Sequence, residues 1–175
     1  MNRHSTNWKA ERLVKLALII GIAVIGRLLF QPLPNVQPVT LIIMLVTLYF
    51  GLIDGLIVSA GSILISNIFM GMGPWTIGQI ISFCVVVVLT YLLLKPIYAK
   101  QWKSRRYYGV LVALLMGLVY GLVISVFDVW FYKINHFWVF YLNGLNFDLM
   151  HAVGNSAFYF VLEPILSKIL IKQSD

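Results

Sequence analysis

Six apolar runs separated by polar breaks dominate the chain, and each run is close to the length of a membrane-spanning helix. The runs cover residues 13–30, 39–52, 55–69, 77–94, 107–127 and 149–171. A transmembrane helix needs about 20 predominantly apolar residues. The pattern therefore predicts an all-α integral membrane protein, a compact bundle of six transmembrane helices in which the second and third spans are short.

The break between the second and third runs rests on Gly51 and Gly55, because glycine weakens a helix locally. Without this break, residues 39–70 would form one long tilted helix with Asp54 inside the membrane. That placement is costly unless the carboxylate meets water or a partner. We favour a tight turn between two helices.

The third and fourth runs are separated by a glycine-rich stretch that carries groups suited to binding. Gly71, Gly73 and Pro74 interrupt the helix. The flanking amide, hydroxyl and indole groups belong to Asn67, Trp75, Thr76 and Gln79. Two interpretations stay open: a binding lip, or an ordinary turn with Trp75 as an aromatic anchor at the lipid headgroups.

Two further connections are polar. Residues 31–38 hold three prolines, which force an extended or turned path, and Asn35 and Gln37 there either contact a ligand or solvate the loop. Residues 128–148 interleave aromatic and polar side chains, which is typical of an interfacial loop that is partly helical. The candidate groups in this loop and in the helix after it are Trp130, Asn143, Asp148, His151 and Asn155.

Asp148 and His151 are spaced i, i+3 and share a helix face. They either contact a ligand, or Asp148 caps the start of the last helix. A general-base role ranks below both interpretations.

Composition agrees with the apolar pattern. Hydrophobic residues make up 61% of the chain and charged residues 11%, and the mean hydropathy is +0.91. The polar segments are too short for a soluble domain, so residues 1–175 form a single membrane domain. Cys84 is the only cysteine, which excludes a disulfide and a cysteine-based metal site.

The net charge of +7 comes from basic residues that flank the apolar runs. Basic residues in such positions determine how a protein is oriented in the membrane. We therefore expect no nucleic-acid partner. With both termini in the cytoplasm, every Lys and Arg except Arg27 and Lys133 lies on the cytoplasmic side. The positive-inside rule favours this topology for a multi-pass protein of the cell membrane. The connections at 31–38, 70–76 and 128–148 then meet at the outer face.

The sequence shows no catalytic constellation. It has no nucleophile with a base, no carboxylate pair and no metal-ligand cluster at workable spacing, and no phosphate loop of the Gly-x-x-x-x-Gly-Lys type. We therefore expect a protein that is not an enzyme and has no catalytic residues, no metal and no cofactor. Any ATP hydrolysis then belongs to partner subunits.

The polar and aromatic groups at the outer face suggest capture of a flat, polar organic molecule. We predict substrate contacts from Arg27, Asn35, Gln37, Asn67, Trp75, Thr76, Gln79, Trp130, Asn143, Asp148, His151 and Asn155. In this hypothesis Trp75 and Trp130 stack on the ligand while the amides satisfy its edges. The alternative is a structural membrane protein whose aromatic loops contact lipid or a protein partner.

Several short motifs resemble those of the substrate-binding S components of energy-coupling factor (ECF) vitamin transporters. They are Gly26-Arg27, Pro34-Asn35-Val36-Gln37-Pro38-Val39-Thr40, Gly51 to Gly55, Ser66-Asn67, and the segment from Gly71 to Gln79. Chain length, six spans and inside termini are similar throughout. The resemblance implies a subunit of the bacterial plasma membrane that binds a vitamin from outside. It also implies docking on a transmembrane coupling subunit that bears two ATPases.

The family's first helix docks through an Ala-x-x-x-Ala motif, which here reads Ala17-x-x-x-Gly21 with Ala23 nearby. Small residues four apart share a helix face and let a partner helix approach closely, although packing inside one bundle uses the same spacing. The resemblance therefore implies that these three residues dock the chain on its coupling subunit.

The motifs at 34–38 and 73–76 look most like the group associated with cobalamin and other corrinoids, which makes cobalamin the first expected substrate. Pantothenate, folate and a thiamin precursor are the alternatives. The start Met1-Asn2-Arg3-His4 lacks the Met-His terminus of the cobalt and nickel members, which disfavours a bare metal ion.

Overall fold

The computed structural model describes residues 3–100 and 103–174, with side chains from residue 10 to residue 170. Its six helices are α1 (Arg3–Leu29), α2 (Val39–Phe50), α3 (Leu52–Met70), α4 (Trp75–Ala99), α5 (Arg105–Tyr132) and α6 (Phe137–Ser174). These residues contain no strand. The expected all-α membrane bundle is confirmed.

Helix α2 forms the buried centre of the bundle. Its sequence is apolar almost all round, and nine of its 12 residues are buried. It packs on α1, α3, α4 and α6. At 1.5 Å per residue it extends only about 18 Å. A helix this short and this apolar is enclosed by other helices, which shield it from lipid.

Gly51 separates α2 from α3, with a φ of 100° that only glycine adopts without strain. Asp54 lies in the first turn of α3 and is 6% exposed. Its Oδ1 accepts a hydrogen bond of 2.9 Å from Arg12 Nε, and Arg12 Nη2 contacts the same oxygen. The chain therefore turns here as expected, and the Asp54 carboxylate has a cationic partner.

The outer faces of the helices are apolar. Large exposed side chains include Leu18, Ile22 and Leu29 on α1, Leu92 on α4 and Val153 on α6. Within the described ranges, α3, α4 and α5 are long and apolar enough to cross a membrane, and α2 is a shorter apolar helix. Such a surface suits contact with lipid.

The segment 128–148 is more ordered than the expected interfacial loop. It is helical except at residues 133–136, because α5 continues to Tyr132 and α6 begins at Phe137. Aromatic residues four apart stack along both helices, with ring centroids 5.6 Å apart for Phe127–Phe131 and 5.8 Å apart for Phe137–Tyr141. These i, i+4 contacts favour helix over loop. Helices α1 and α4 also run beyond their expected ends, to Arg3 and Ala99.

Candidate functional site

Arg27 centres a buried hydrogen-bond network that joins α1 to α3, α4 and the 31–38 connection. The residue is 6% exposed. Its Nη1 donates to Ser66 Oγ at 2.6 Å and to Asn67 Oδ1 at 3.0 Å. Its Nε donates to Gln37 Oε1 at 3.2 Å and its Nη2 to Gln79 Oε1 at 3.4 Å. All four acceptors are neutral, so fixed dipoles take the place of water around the buried cation.

Asn67 extends this network to the glycine-rich turn. Its Nδ2 donates to Thr76 Oγ1 and to Gln79 Oε1, both at 2.8 Å. The Thr76 hydroxyl oxygen also accepts from the Gly73 backbone N–H at 3.4 Å. Asn67 is 2% exposed and Thr76 is 4% exposed. Both side chains therefore hold the turn between α3 and α4 in place.

A cavity of about 420 Å³ adjoins the Arg27 network, between α4, α5, α6 and the 31–38 connection. Its polar walls come from Asn35, Gln79, Ser125, Asp128, Asn143 and Asp148, and its aromatic walls from Tyr120, Phe140 and Phe147. Gln79 belongs to both the network and the cavity. Concave sites of this size with a few convergent polar groups are typical of small-molecule binding.

The cavity is rich in acceptors that lack a partner. Asp148 is 7% exposed, and its Oδ2 is buried without a hydrogen bond within the described part of the chain. Asp128 Oδ1 is likewise buried without a hydrogen-bond partner among the described residues. Among the described residues that line the cavity, none is basic. A ligand that supplies hydrogen-bond donors or positive charge would satisfy these oxygens.

The polar face of α6 continues past Asp148 into the bundle. His151 Nε2 lies 2.9 Å from Thr40 Oγ1, and the His151 ring centroid is 4.9 Å from that of Tyr120. Asn155 is 1% exposed, and its amide has no hydrogen-bond partner among the described residues. Neither His151 nor Asn155 lines the cavity. The helix-cap interpretation of Asp148 does not apply, because α6 begins at Phe137.

The two tryptophans expected to stack on a ligand lie outside the cavity. Trp75 is 42% exposed, and its ring fills the space beside Gly73. Trp130 is 65% exposed, with Lys133 Nζ 5.3 Å from its ring centroid. Aromatic surface inside the cavity comes instead from residues that the sequence did not single out as ligand contacts: Tyr120, Phe140 and Phe147.

Residues 11–173 match the sequence profile of the family described as ECF transporter, substrate-specific component. The chain belongs to this family. Its members are substrate-binding transport proteins, so this S component is not an enzyme, and its family works with an energising module of ATPases and a transmembrane component. No curated protein and no solved structure gives a significant match.

The predicted contact residues of the S component fall into distinct groups. Asn35, Gln79, Asn143 and Asp148 line the cavity. Arg27, Gln37, Asn67 and Thr76 form the adjoining network. Asn35 has a left-handed φ of 58°, and its Nδ2 donates to the Phe147 carbonyl at 2.9 Å. The 31–38 connection is thereby fixed to α6 at the cavity wall.

The three small residues of α1 do not share one environment. Ala17 is exposed, and a Cβ placed on Gly21 would have no neighbouring heavy atom within 4 Å. Ala23 is fully buried at 0% exposure and packs in the core. On this S component, Ala17 and Gly21 therefore present an open surface, whereas Ala23 faces inward.

Proposed function

We propose that this chain is the substrate-binding subunit of an ECF-type importer that captures a vitamin in the cavity lined by Tyr120 and Asp148. After docking on an energising module, it delivers the vitamin inward, and the ATPases of that module hydrolyse the ATP. The observation that carries the proposal is a polar and aromatic cavity that shares Gln79 with the buried Arg27 network. Hydrogen bonds that position a wall residue before the ligand arrives lower the entropic cost of binding.

Charge distribution supports an outward-facing cavity. The bundle end that holds the cavity carries Arg27 and Lys133, whereas the opposite end carries Lys95, Lys100, Lys103, Arg105 and Arg106. Cytoplasmic segments of membrane proteins are enriched in Lys and Arg. We therefore infer that the cavity opens at the outer face of the bacterial plasma membrane and that both termini lie in the cytoplasm.

Two substrate candidates follow from different observations. The motifs at 34–38 and 73–76 favour cobalamin or a related corrinoid. The cavity volume of about 420 Å³ favours a smaller vitamin such as pantothenate, folate or a thiamin precursor, since a corrin ring with its side chains needs more space. We propose no cofactor for the chain itself.

A vitamin panel tests the proposal against a purely structural role. The purified protein is unfolded thermally in detergent with cyanocobalamin, pantothenate, folate, thiamin or the thiamin pyrimidine. One vitamin is expected to raise Tm in a concentration-dependent way, because a ligand that binds only the folded state stabilises it by about 2.7 kcal/mol at 100 times its Kd. If none raises Tm and no vitamin copurifies, the structural role is favoured and the proposal fails.

A further inference from the structure

The chemistry of the cavity defines the charge of its ligand. We infer that the cavity selects a small organic cation, an ammonium group or a positively charged heteroaromatic ring, which sits between the carboxylates of Asp128 and Asp148. This inference rests on the proposed function and narrows it to one class of substrate.

Among the residues that the structure describes, no basic side chain forms an ion pair with either carboxylate. Asp128 and Asp148 both line the cavity. The Arg27 guanidinium is turned to neutral acceptors on Gln37, Ser66, Asn67 and Gln79. The Lys133 ammonium lies over the Trp130 ring, outside the cavity. A bound cation would therefore give both carboxylates the partner that the described side chains do not supply.

The position of Asp148 is fixed by the fold. Its side chain is more than nine-tenths buried, yet its Oδ2 has no hydrogen-bond partner among the described residues. The carboxyl group occupies the space beside Gly121, where a Cβ would overlap it. A buried carboxylate without a partner is costly, so its presence at the wall of an open cavity points to a partner that arrives with the ligand.

The aromatic walls suit the same class of ligand. Tyr120, Phe140 and Phe147 border the cavity, and the faces of aromatic rings attract cations through their quadrupole. A cavity of about 420 Å³ accommodates a molecule of one or two rings. Carboxylates and aromatic faces together favour a cation over an anion of equal size.

Matched probes test the selection by charge. Calorimetry on the purified full chain uses thiamin and 1-methylnicotinamide as cations, nicotinate and pantothenate as anions, and cyanocobalamin as the corrinoid. We expect at least one cation to bind and both anions to show no binding. Asp148→Asn is expected to weaken binding of that cation at least about tenfold, since the charge is lost while the shape is kept.

Glu163→Gln is the matched control, because Glu163 is a carboxylate on the same helix, 6% exposed and outside the cavity. The Glu163→Gln variant should bind the cation with the same affinity as the parent protein. Asp128→Asn gives a second test should Asp148→Asn fail to fold.

Three results would overturn the inference. Binding of an anionic vitamin or of cyanocobalamin without binding of any cation would refute it and leave the proposed function standing. A cation whose affinity is unchanged in both Asp→Asn variants would show that the carboxylates do not recognise it. If no probe binds and the vitamin panel also leaves Tm unchanged, the proposed function fails together with the inference.

Discussion

The carboxyl group of Asp148 occupies the space that a side chain at position 121 would need. A Cβ placed on Gly121 would overlap that carboxyl group. Gly121 and Asp148 lie on α5 and α6, the two helices with the most extensive mutual contact in the bundle. The small residue therefore permits the close helix approach that brings Asp148 to the cavity wall.

Gly121→Ala is expected to displace the Asp148 side chain and to weaken vitamin binding at least about tenfold, which corresponds to about 1.4 kcal/mol. Calorimetry measures the affinity, and thermal unfolding reports whether the fold is kept. Gly21→Ala is the control, because a Cβ at that position meets no neighbouring atom within 4 Å. Parent-like affinity in Gly121→Ala would show that the position of Asp148 is irrelevant to binding.

Arg27→Gln is expected to lower the free energy of unfolding by about 2–4 kcal/mol. The substitution removes charge-assisted hydrogen bonds and leaves the buried Ser66 and Asn67 oxygens short of a donor. Thermal unfolding in detergent measures the loss. Lys133→Gln serves as the comparison, because Lys133 is exposed and its ammonium lies 5.3 Å from the centroid of the exposed Trp130 ring, a contact of little net strength in water. A similar drop in Tm for both variants would contradict the structural role assigned to Arg27.

Gly21→Leu is expected to impair transport by the assembled importer while the isolated protein keeps its vitamin affinity. The new side chain enters open space on α1, so it blocks a partner helix without disturbing the bundle. Ala23→Leu is expected to behave differently, since Ala23 is fully buried and overpacking costs about 1–3 kcal/mol of stability. Normal transport in Gly21→Leu would argue against docking through this face.

The orientation of the bundle can be read by labelling with a membrane-impermeant thiol reagent in a Cys84→Ser background. We expect a cysteine at Asn143 to be labelled from outside intact cells and one at Ser104 to react only after permeabilisation, because Ser104 lies in the basic connection before α5. External labelling of a cysteine at Ser104 would show the opposite orientation, in which the cavity faces the cytoplasm.

Much of the bundle is readable from the sequence because a single long apolar run can satisfy its own backbone hydrogen bonds in lipid only as a helix. Gly51 marks the break between α2 and α3 as the sequence predicts. The sequence predicts only partial helix for the segment 128–148, because its aromatic and polar residues interleave. In the structure helix covers nearly all of it, and ring stacking between residues four apart, such as Phe137 and Tyr141, favours that form.

The candidate site is readable only in part. Polar groups such as Arg27 and Asn67 stand out in the sequence because a polar group within an apolar run needs a polar partner. The sequence suggested a ligand as that partner, and the structure shows that the two side chains also bond to each other. Trp75 and Trp130 look like stacking surfaces in sequence, but tertiary packing leaves both outside the cavity. Tyr120 and Phe140 look like ordinary apolar residues, and the only signal for Tyr120 is its place among small residues that bring α5 and α6 together.

The affinities of Phe140→Ala and Trp130→Ala provide the most direct test that the vitamin binds in this cavity. Calorimetry compares both variants with the parent protein, using the panel vitamin that binds the parent most tightly. Phe140 lines the cavity and Trp130 does not. We predict an affinity loss of about tenfold or more for Phe140→Ala and no change for Trp130→Ala. Parent-like binding by Phe140→Ala together with a large loss in Trp130→Ala would contradict the account.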